Sequence, residues 1–256
     1  MIHPTAIIDE SADIAPGVSI GPYSVIGADV VIGEGTWIGP HVVINGPTRI
    51  GRNNRIFQFN SIGDIPQDKK FAGEVSSLEI GDGNTIREYC SFNRGTEHGG
   101  GITRVGNDNW IMAYVHIAHD CQVGSGIVMA NNATLAGHVT IGDHAILGGF
   151  TLVHQFCAVG DHSFSAMGTA IGKDVPPYIL VAGQPAGPRG LNTEGLKRHG
   201  IDGARLELLR KAYKMVYRNG LKAEEAIDQL NQLGAQSQEI ITLAEFIKSS
   251  KRGIVR

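Results

Sequence analysis

Residues 105–171 read VGNDNWIMAYVHIAHDCQVGSGIVMANNATLAGHVTIGDHAILGGFTLVHQFCAVGDHSFSAMGTAI. Every sixth position from Val105 onward is Val105, Ile111, Ile117, Val123, Met129, Leu135, Ile141, Leu147, Val153, Val159, Ser165 and Ile171. Only Ser165 is not apolar. Four places after these positions stand small or β-branched residues, among them Val115, Cys121, Ala133, Ala145, Thr151 and Thr169. A period of six fits neither a helix at about 3.6 nor an alternating strand at 2. It is the pattern of a parallel β-helix built from hexapeptides. Three hexads close one three-sided coil. Side chains one coil apart then stack at about the strand spacing of 4.7–4.9 Å, and only the two ends of the solenoid leave open edges.

Outward from this stretch the repeat reaches back to the start of the chain. Ile8, Ile14, Ile20, Ile26, Ile32, Ile38, Ile44, Ile50, Ile56 and Ile62 are spaced by six without a slip. Two interruptions follow. Residues 63–79 are polar, carry Pro66 and have no aliphatic residue at 68 or 74, so they are expected to leave the coil as a loop. Ile80, Ile86 and Phe92 resume the period, but its strict continuation would land on Arg104, one short of Val105. Residues 93–104 therefore form a second excursion, either a tolerated surface insertion or a functional loop.

The pattern ends at Pro176 and Pro177, and a connector, GQPAGPRG, follows. The expected β-helix is thus residues 1–190, and residues 191–256 form a small α-helical domain. In the latter, Leu206, Leu209, Tyr213 and Val216, then Ala223, Ala226, Ile227 and Leu230, then Ile240, Leu243, Ala244 and Ile247, follow helical spacing and predict three helices. Gly220 and Gly234 stand where helices would stop. Lys211, Lys214, Arg218 and Lys222 give the first helix and its end a basic character, which suits either a solvated face or an acidic partner.

Composition excludes several classes. Gly at 35 of 256 residues is about twice the usual 7% and suits a fold with a turn every few residues. The net charge of -3 gives no global field for nucleic acid or membrane. No apolar run reaches the ~18 residues of a membrane span, and no signal peptide is evident, so a cytoplasmic protein is expected. Cys90, Cys121 and Cys157 all fall on the small inward position, as free core thiols in a reducing compartment would.

Six of the ten histidines lie in the 105–171 run, at 116, 119, 138, 144, 154 and 162. Stacking by whole coils places His119, Gly137 and Gln155 on one line, with His138 and His154 each one residue off it. A neutral imidazole there is suited to general-base catalysis near neutral pH. Asp120 would orient His119, and the backbone N–H of Gly137 would be open to a developing oxyanion. Zinc binding is the competing chemistry. Hexapeptide carbonic anhydrases use two ligands separated by four residues, and no histidine pair here has that spacing.

The stretches HIAHDC (His116 to Cys121), ANNATLAGHV, LVHQF, KDVPPY and NTEGLKR, in that order, resemble the bacterial UDP-N-acetylglucosamine acyltransferases. The resemblance covers the whole chain. It implies a left-handed β-helix, a hand that periodicity does not set and that the general right-handed crossover preference would have opposed. It also implies a cyclic homotrimer with sites between subunits. The implied activity is the first step of lipid A biosynthesis: transfer of a 3-hydroxyacyl chain from acyl carrier protein to the 3-hydroxyl of UDP-N-acetylglucosamine. No metal and no resident cofactor is implied, the pantetheine arm being carried by the donor.

Matched residue by residue, the resemblance makes His119 the general base, Asp120 its partner and Gly137 the oxyanion donor. It makes Asp68, Lys70, His116, His138, His154, Gln155, Asn192, Glu194 and Arg198 substrate-binding, and places Met167 where acyl length is measured. Asn93 stands where the family commonly has His, and His199 where a second Arg is usual. A related N-acyltransferase, an acetyl-CoA-dependent acetyltransferase and a non-catalytic scaffold remain as alternatives.

Overall fold

A computed structural model of the chain describes residues 1–234 and 237–256. Two- to five-residue strands follow one another around three parallel sheets of nine, eight and ten strands. In the ten-stranded sheet, one closing pair is antiparallel. Consecutive coils are in register, each residue beside the one three hexads on: Ile117 pairs with Leu135, Leu135 with Val153, and Val153 with Ile171. The period-six residues point inward and stack; Ile20, Ile26, Ile38, Ile56, Ile86 and Ile111 are among the fully buried ones. Each such side chain contributes about 1.5–3 kcal/mol relative to exposure. Ser165, the one polar member, is satisfied inside the core by the Thr151 hydroxyl at 2.8 Å.

The corners solve the backbone problem locally. Among the described residues sixteen non-glycine residues have positive φ, at the same place on successive corners: Asp120, His138 and Phe156 on one, His144 and His162 on another, Tyr89, Tyr114 and Phe150 on the third. The left-handed conformation of Asp120 and His138 is therefore set by the fold. Corner N–H groups are accepted by side chains of the next coil, as in the ladder Ser125 N–H to Asp143 Oδ1 (2.7 Å) and Asp143 N–H to Asp161 Oδ1 (2.9 Å). On the third corner Tyr23, His41, Phe59, Tyr89 and Tyr114 form a ladder of stacked rings 4.9–5.3 Å apart. All five rings are exposed, the tyrosines and Phe59 by between 46% (Phe59) and 61% (Tyr23).

Both interruptions leave the coil at one corner. Strand Ser61–Asp64 is followed by an irregular segment and strand Ser77–Ile80, so Ile62 pairs with Phe92 instead of with Ile80. Strand Ser91–Asn93 is followed by a 3₁₀ turn, Glu97–Gly99, and strand Ile102–Val105, so Phe92 pairs with Ile117 instead of with Trp110. The excursions are shorter than the expected 63–79 and 93–104, because 77–80 and 102–105 are strand.

The C-terminal region departs from expectation in two respects. The GQPAGPRG connector is not a free linker: strand Ile179–Ala182 pairs antiparallel with strand Gly187–Leu191 and extends the ten-stranded sheet. Among the described residues there are four α-helices rather than three, α1 (Thr193–Arg198), α2 (Gly203–Tyr217), α3 (Ala223–Leu233) and α4 (Gln238–Ser249). The short α1 escapes a periodicity reading because it spans less than two turns; its cap signal is legible, since the Asn192 side chain accepts the Gly195 N–H. Helices α2–α4 pack through Leu206, Leu209, Leu230, Ile240 and Leu243. The last residues return to the coil, where Val255 N–H donates to Asp174 O and Ser250 Oγ–H to Asp174 Oδ2. The three cysteines are free and buried, and burial pushes the Cys90 and Cys121 thiols up to about 12.

Candidate active site

The corner between strands His116–Ile117 and Gln122–Val123 carries His119 and Asp120. Their side chains meet, His119 Nδ1 to Asp120 Oδ2 at 2.7 Å. An ionised carboxylate only accepts, so Nδ1 carries the proton and Nε2 is left with a lone pair. The Asp120 side chain is fully buried. Burial opposes its charge, yet the hydrogen bonds from His119 and from the Thr96 hydroxyl and N–H hold its carboxyl below the ordinary range.

One coil on, Gly137 lies against the His119 ring. A Cβ there would come within 2.7 Å of Nε2, so only glycine leaves room for the imidazole. Among the described residues no group accepts the Gly137 N–H. His138 stands edge-on to His119, with ring centroids 5.1 Å apart, and stacks on Phe156 at 4.4 Å. Its Nε2 is 3.6 Å from Asp120 Oδ2. Burial lowers the pKa of His138, against the opposing pull of Asp120. His116 bonds Ser91 Oγ at 2.7 Å and is likewise lowered, mainly by burial.

The first loop returns to this corner. The Asp68 charge acts on His138, and Asp68 Oδ1 accepts the Lys70 N–H at 3.0 Å while the Lys70 side chain is exposed. Asn93 is buried and donates to Ile65 O at 2.8 Å, so it braces the root of that loop. The second loop supplies Thr96 and Gly99, and the strand that follows it supplies Thr103; the sequence singles out none of them. The signal available is the break in period itself.

The remaining predicted residues lie elsewhere on the single chain. His154 and Gln155 are exposed on the same corner, one coil beyond Gly137. His154 also borders an apolar groove of about 550 Å³ with Ala136, Leu152, Ala170, Gln184 and Pro185. Asn192 is buried, with its Nδ2 donating to His162 O at 2.9 Å on a second corner. Glu194 pairs with Lys197, and Arg198 is exposed on α1. His199 packs against His144 and His162, with centroids 4.4 and 4.9 Å away. Met167 is 80% exposed on the third corner. His119, Asp120 and His138 also bring ligand-capable atoms within 4.8 Å of one another. Asp120 Oδ2, however, is already engaged by Thr96 and His119.

Residues 29–56 and 102–137 match the bacterial transferase hexapeptide family. Residues 174–255 match the profile of UDP-N-acetylglucosamine O-acyltransferase, domain 2. An acyl-[acyl-carrier-protein]–UDP-N-acetylglucosamine O-acyltransferase of Thiobacillus denitrificans is 56% identical over 255 residues, covering 100% of this chain and 99% of that protein. The chain belongs to this acyltransferase family. Solved structures agree with the assignment. The Francisella novicida UDP-N-acetylglucosamine acyltransferase superimposes with a TM-score of 0.98 at 46% identity, over 100% of this chain and 94% of that one. The Moraxella catarrhalis enzyme gives 0.98 at 49%, over 100% and 99%. The coil is the left-handed β-helix of the family, as the resemblance implied. Among the described residues no helix is long and apolar enough to cross a membrane.

Proposed function

We propose that the chain transfers a 3-hydroxyacyl group from acyl carrier protein to the 3-hydroxyl of UDP-N-acetylglucosamine, with His119 as general base. The observation that carries this reading is the geometry around Nε2. Asp120 holds the Nδ1–H, Nε2 is left as acceptor, and the bare Cα of Gly137 leaves space beside it. In the reaction, Nε2 takes the proton of the sugar 3-hydroxyl as its oxygen attacks the thioester carbonyl. The Gly137 N–H donates to the oxyanion. Collapse expels the pantetheine thiolate, which takes the proton back from the imidazolium. The buried carboxylate of Asp120 stabilises that imidazolium without itself moving a proton. The step draws on no metal or resident cofactor.

Binding roles follow from the three corners. Asp68, Lys70, His116, His138, His154 and Gln155 line the side that bears His119, whereas Asn192, Glu194 and Arg198 belong to a second corner and Met167 to a third. One chain does not unite them, and a homotrimer does if neighbouring copies face each other across these edges. The exposed ring ladder on the Met167 corner is the kind of apolar surface such an interface covers. With Asn192 committed to α1 and to His162 O, its role is to seat the segment that presents Glu194 and Arg198. The basic groove lined by Arg210, Lys211, Lys214 and Arg218, with Tyr213, suits an acidic carrier protein.

The test is mass spectrometry of products from a panel of acyl-carrier-protein donors with UDP-N-acetylglucosamine and its 3-amino analogue. A 3-O-hydroxyacyl product from the carrier-protein donors, with none from acetyl-CoA, is the expected result. Exclusive acylation of the amino sugar, or turnover only with acetyl-CoA, would redirect the assignment to the related acyltransferases.

A further inference from the structure

The second excursion, residues 94–101, closes over Asp120. Thr96 is buried; its N–H donates to Asp120 Oδ1 at 2.8 Å and its hydroxyl to Oδ2 at 2.7 Å. Asp120's own N–H donates to the Thr103 hydroxyl at 2.8 Å, in the strand that follows this loop. Gly99 packs so tightly on the carboxylate that a Cβ would overlap Asp120 Cγ. Thr96 is itself fixed, since its carbonyl accepts the N–H groups of Gly99 and Gly101 at 3.0 and 2.7 Å. This short insertion thus makes a cover that fits one carboxylate.

The hydroxyl does something that the packing alone does not. Asp120 Oδ2 has two partners within 2.7 Å, Thr96 Oγ1 and His119 Nδ1, and a third candidate, His138 Nε2, waiting at 3.6 Å. A carboxylate oxygen offers two lone-pair directions. With one taken by Thr96, the other goes to His119 and none is left for His138. We propose that Thr96 is a positioning residue, whose hydroxyl locks Asp120 onto His119 and excludes the competing His138–Asp120 pair. The second excursion is then part of the reaction apparatus rather than a tolerated insertion. This rests on His119 acting as the base.

The test compares wild type, Thr96→Val, Thr96→Ser and Thr96→Ala, with His119→Ala as the control, using a 3-hydroxyacyl carrier-protein donor and UDP-N-acetylglucosamine. Valine keeps the shape and removes the donor. The expected Thr96→Val result is a kcat about tenfold lower, the scale of one hydrogen bond to a charged group, with KM for the sugar nucleotide within about twofold. Freed of Thr96, Oδ2 places more of its charge on the imidazoles, so the acidic limb of the kcat/KM profile moves to higher pH. Serine restores kcat to within about twofold. If Thr96→Val fails to fold, Thr96→Ala must show the same loss and limb shift. Wild-type kcat and pH profile in the valine or alanine variant overturn the proposal, as does a serine variant no better than valine. Full activity in His119→Ala overturns the reading beneath it instead.

Discussion

A Cβ on Gly137 would stand 2.5 Å from Cε1 of His119, well inside van der Waals contact. The imidazole therefore occupies the space that every other residue type would fill, one coil away from its own backbone. Of the ring atoms, Cε1 and Nε2 come nearest to that Cβ position. The same contact explains how the proposed base and the proposed oxyanion donor can come from positions a full coil apart in the sequence: the solenoid stacks them.

Gly137→Ala should push the His119 ring aside while leaving the coil intact. A displacement near 1 Å costs about 100-fold in rate, so kcat should fall by about that factor. The checks are steady-state kinetics and a thermal melt on the same sample. Near-normal kcat would show that the ring yields without consequence.

Reversing charge in the α2 groove with Lys211→Glu and Lys214→Glu should weaken the donor, not the acceptor. Both side chains lie at the surface, so the loss acts mainly on encounter and depends on salt. Apparent KM for the acyl carrier protein should rise about tenfold at low ionic strength, with KM for UDP-N-acetylglucosamine unchanged. Equal donor KM values across a salt series would remove the groove from the account.

Much of this was legible in the sequence because the solenoid is a one-dimensional code. Ile20, Ile38 and Ile56 are stacked where their spacing put them, and His119, Gly137 and His138 met as the coil arithmetic required. What failed to show was whatever broke that code. Thr96 and Gly99 belong to a polar segment with no period, and their importance lies in contacts with an Asp120 well removed along the chain. The strand Ile179–Ala182 was hidden behind two prolines, and its partner Gly187–Leu191 is nearly devoid of apolar side chains. The hand of the coil came from resemblance alone. No local pattern revealed that His199 would join His144 and His162, since the three come from two coils and a helix end.

Met167 should act as the acyl ruler across a subunit boundary, since it is exposed on a different corner from His119. A flexible apolar side chain presented from there to a neighbouring copy would plug an acyl groove that glycine would leave open. Wild type is expected to prefer chains of about ten carbons over fourteen, each excluded methylene forfeiting roughly 0.8 kcal/mol. Met167→Gly should shift the preference to longer donors and spare catalysis. Identical rankings of a donor ladder by the two proteins would dismiss Met167.

His162 makes stability depend on pH. Burial, with the neighbouring His144 and His199, lowers its pKa from 6.5 to about 4, while Asp143 pulls the other way; Tyr178 stacks on its ring and Asp161 adjoins it in sequence. Between those two values the unfolded chain binds the proton and the folded one does not. Stability is therefore complete above pH 6.5 and declines as pH falls toward 4. The melting temperature should be lower at pH 5 than at pH 7.5, and His162→Phe should narrow that gap by about 3 °C. An unchanged gap would mean that the ring takes up its proton at no cost to the fold.

The most direct test of the central claim is turnover of His119→Ala with a 3-hydroxyacyl carrier-protein donor and UDP-N-acetylglucosamine, on protein shown to keep the wild-type oligomeric state. Loss of a general base costs about 10²–10⁴-fold, and a fall of that size is predicted. A folded variant that keeps more than about a third of wild-type turnover would contradict His119 as the base, since an essential general base is worth at least about 10²-fold.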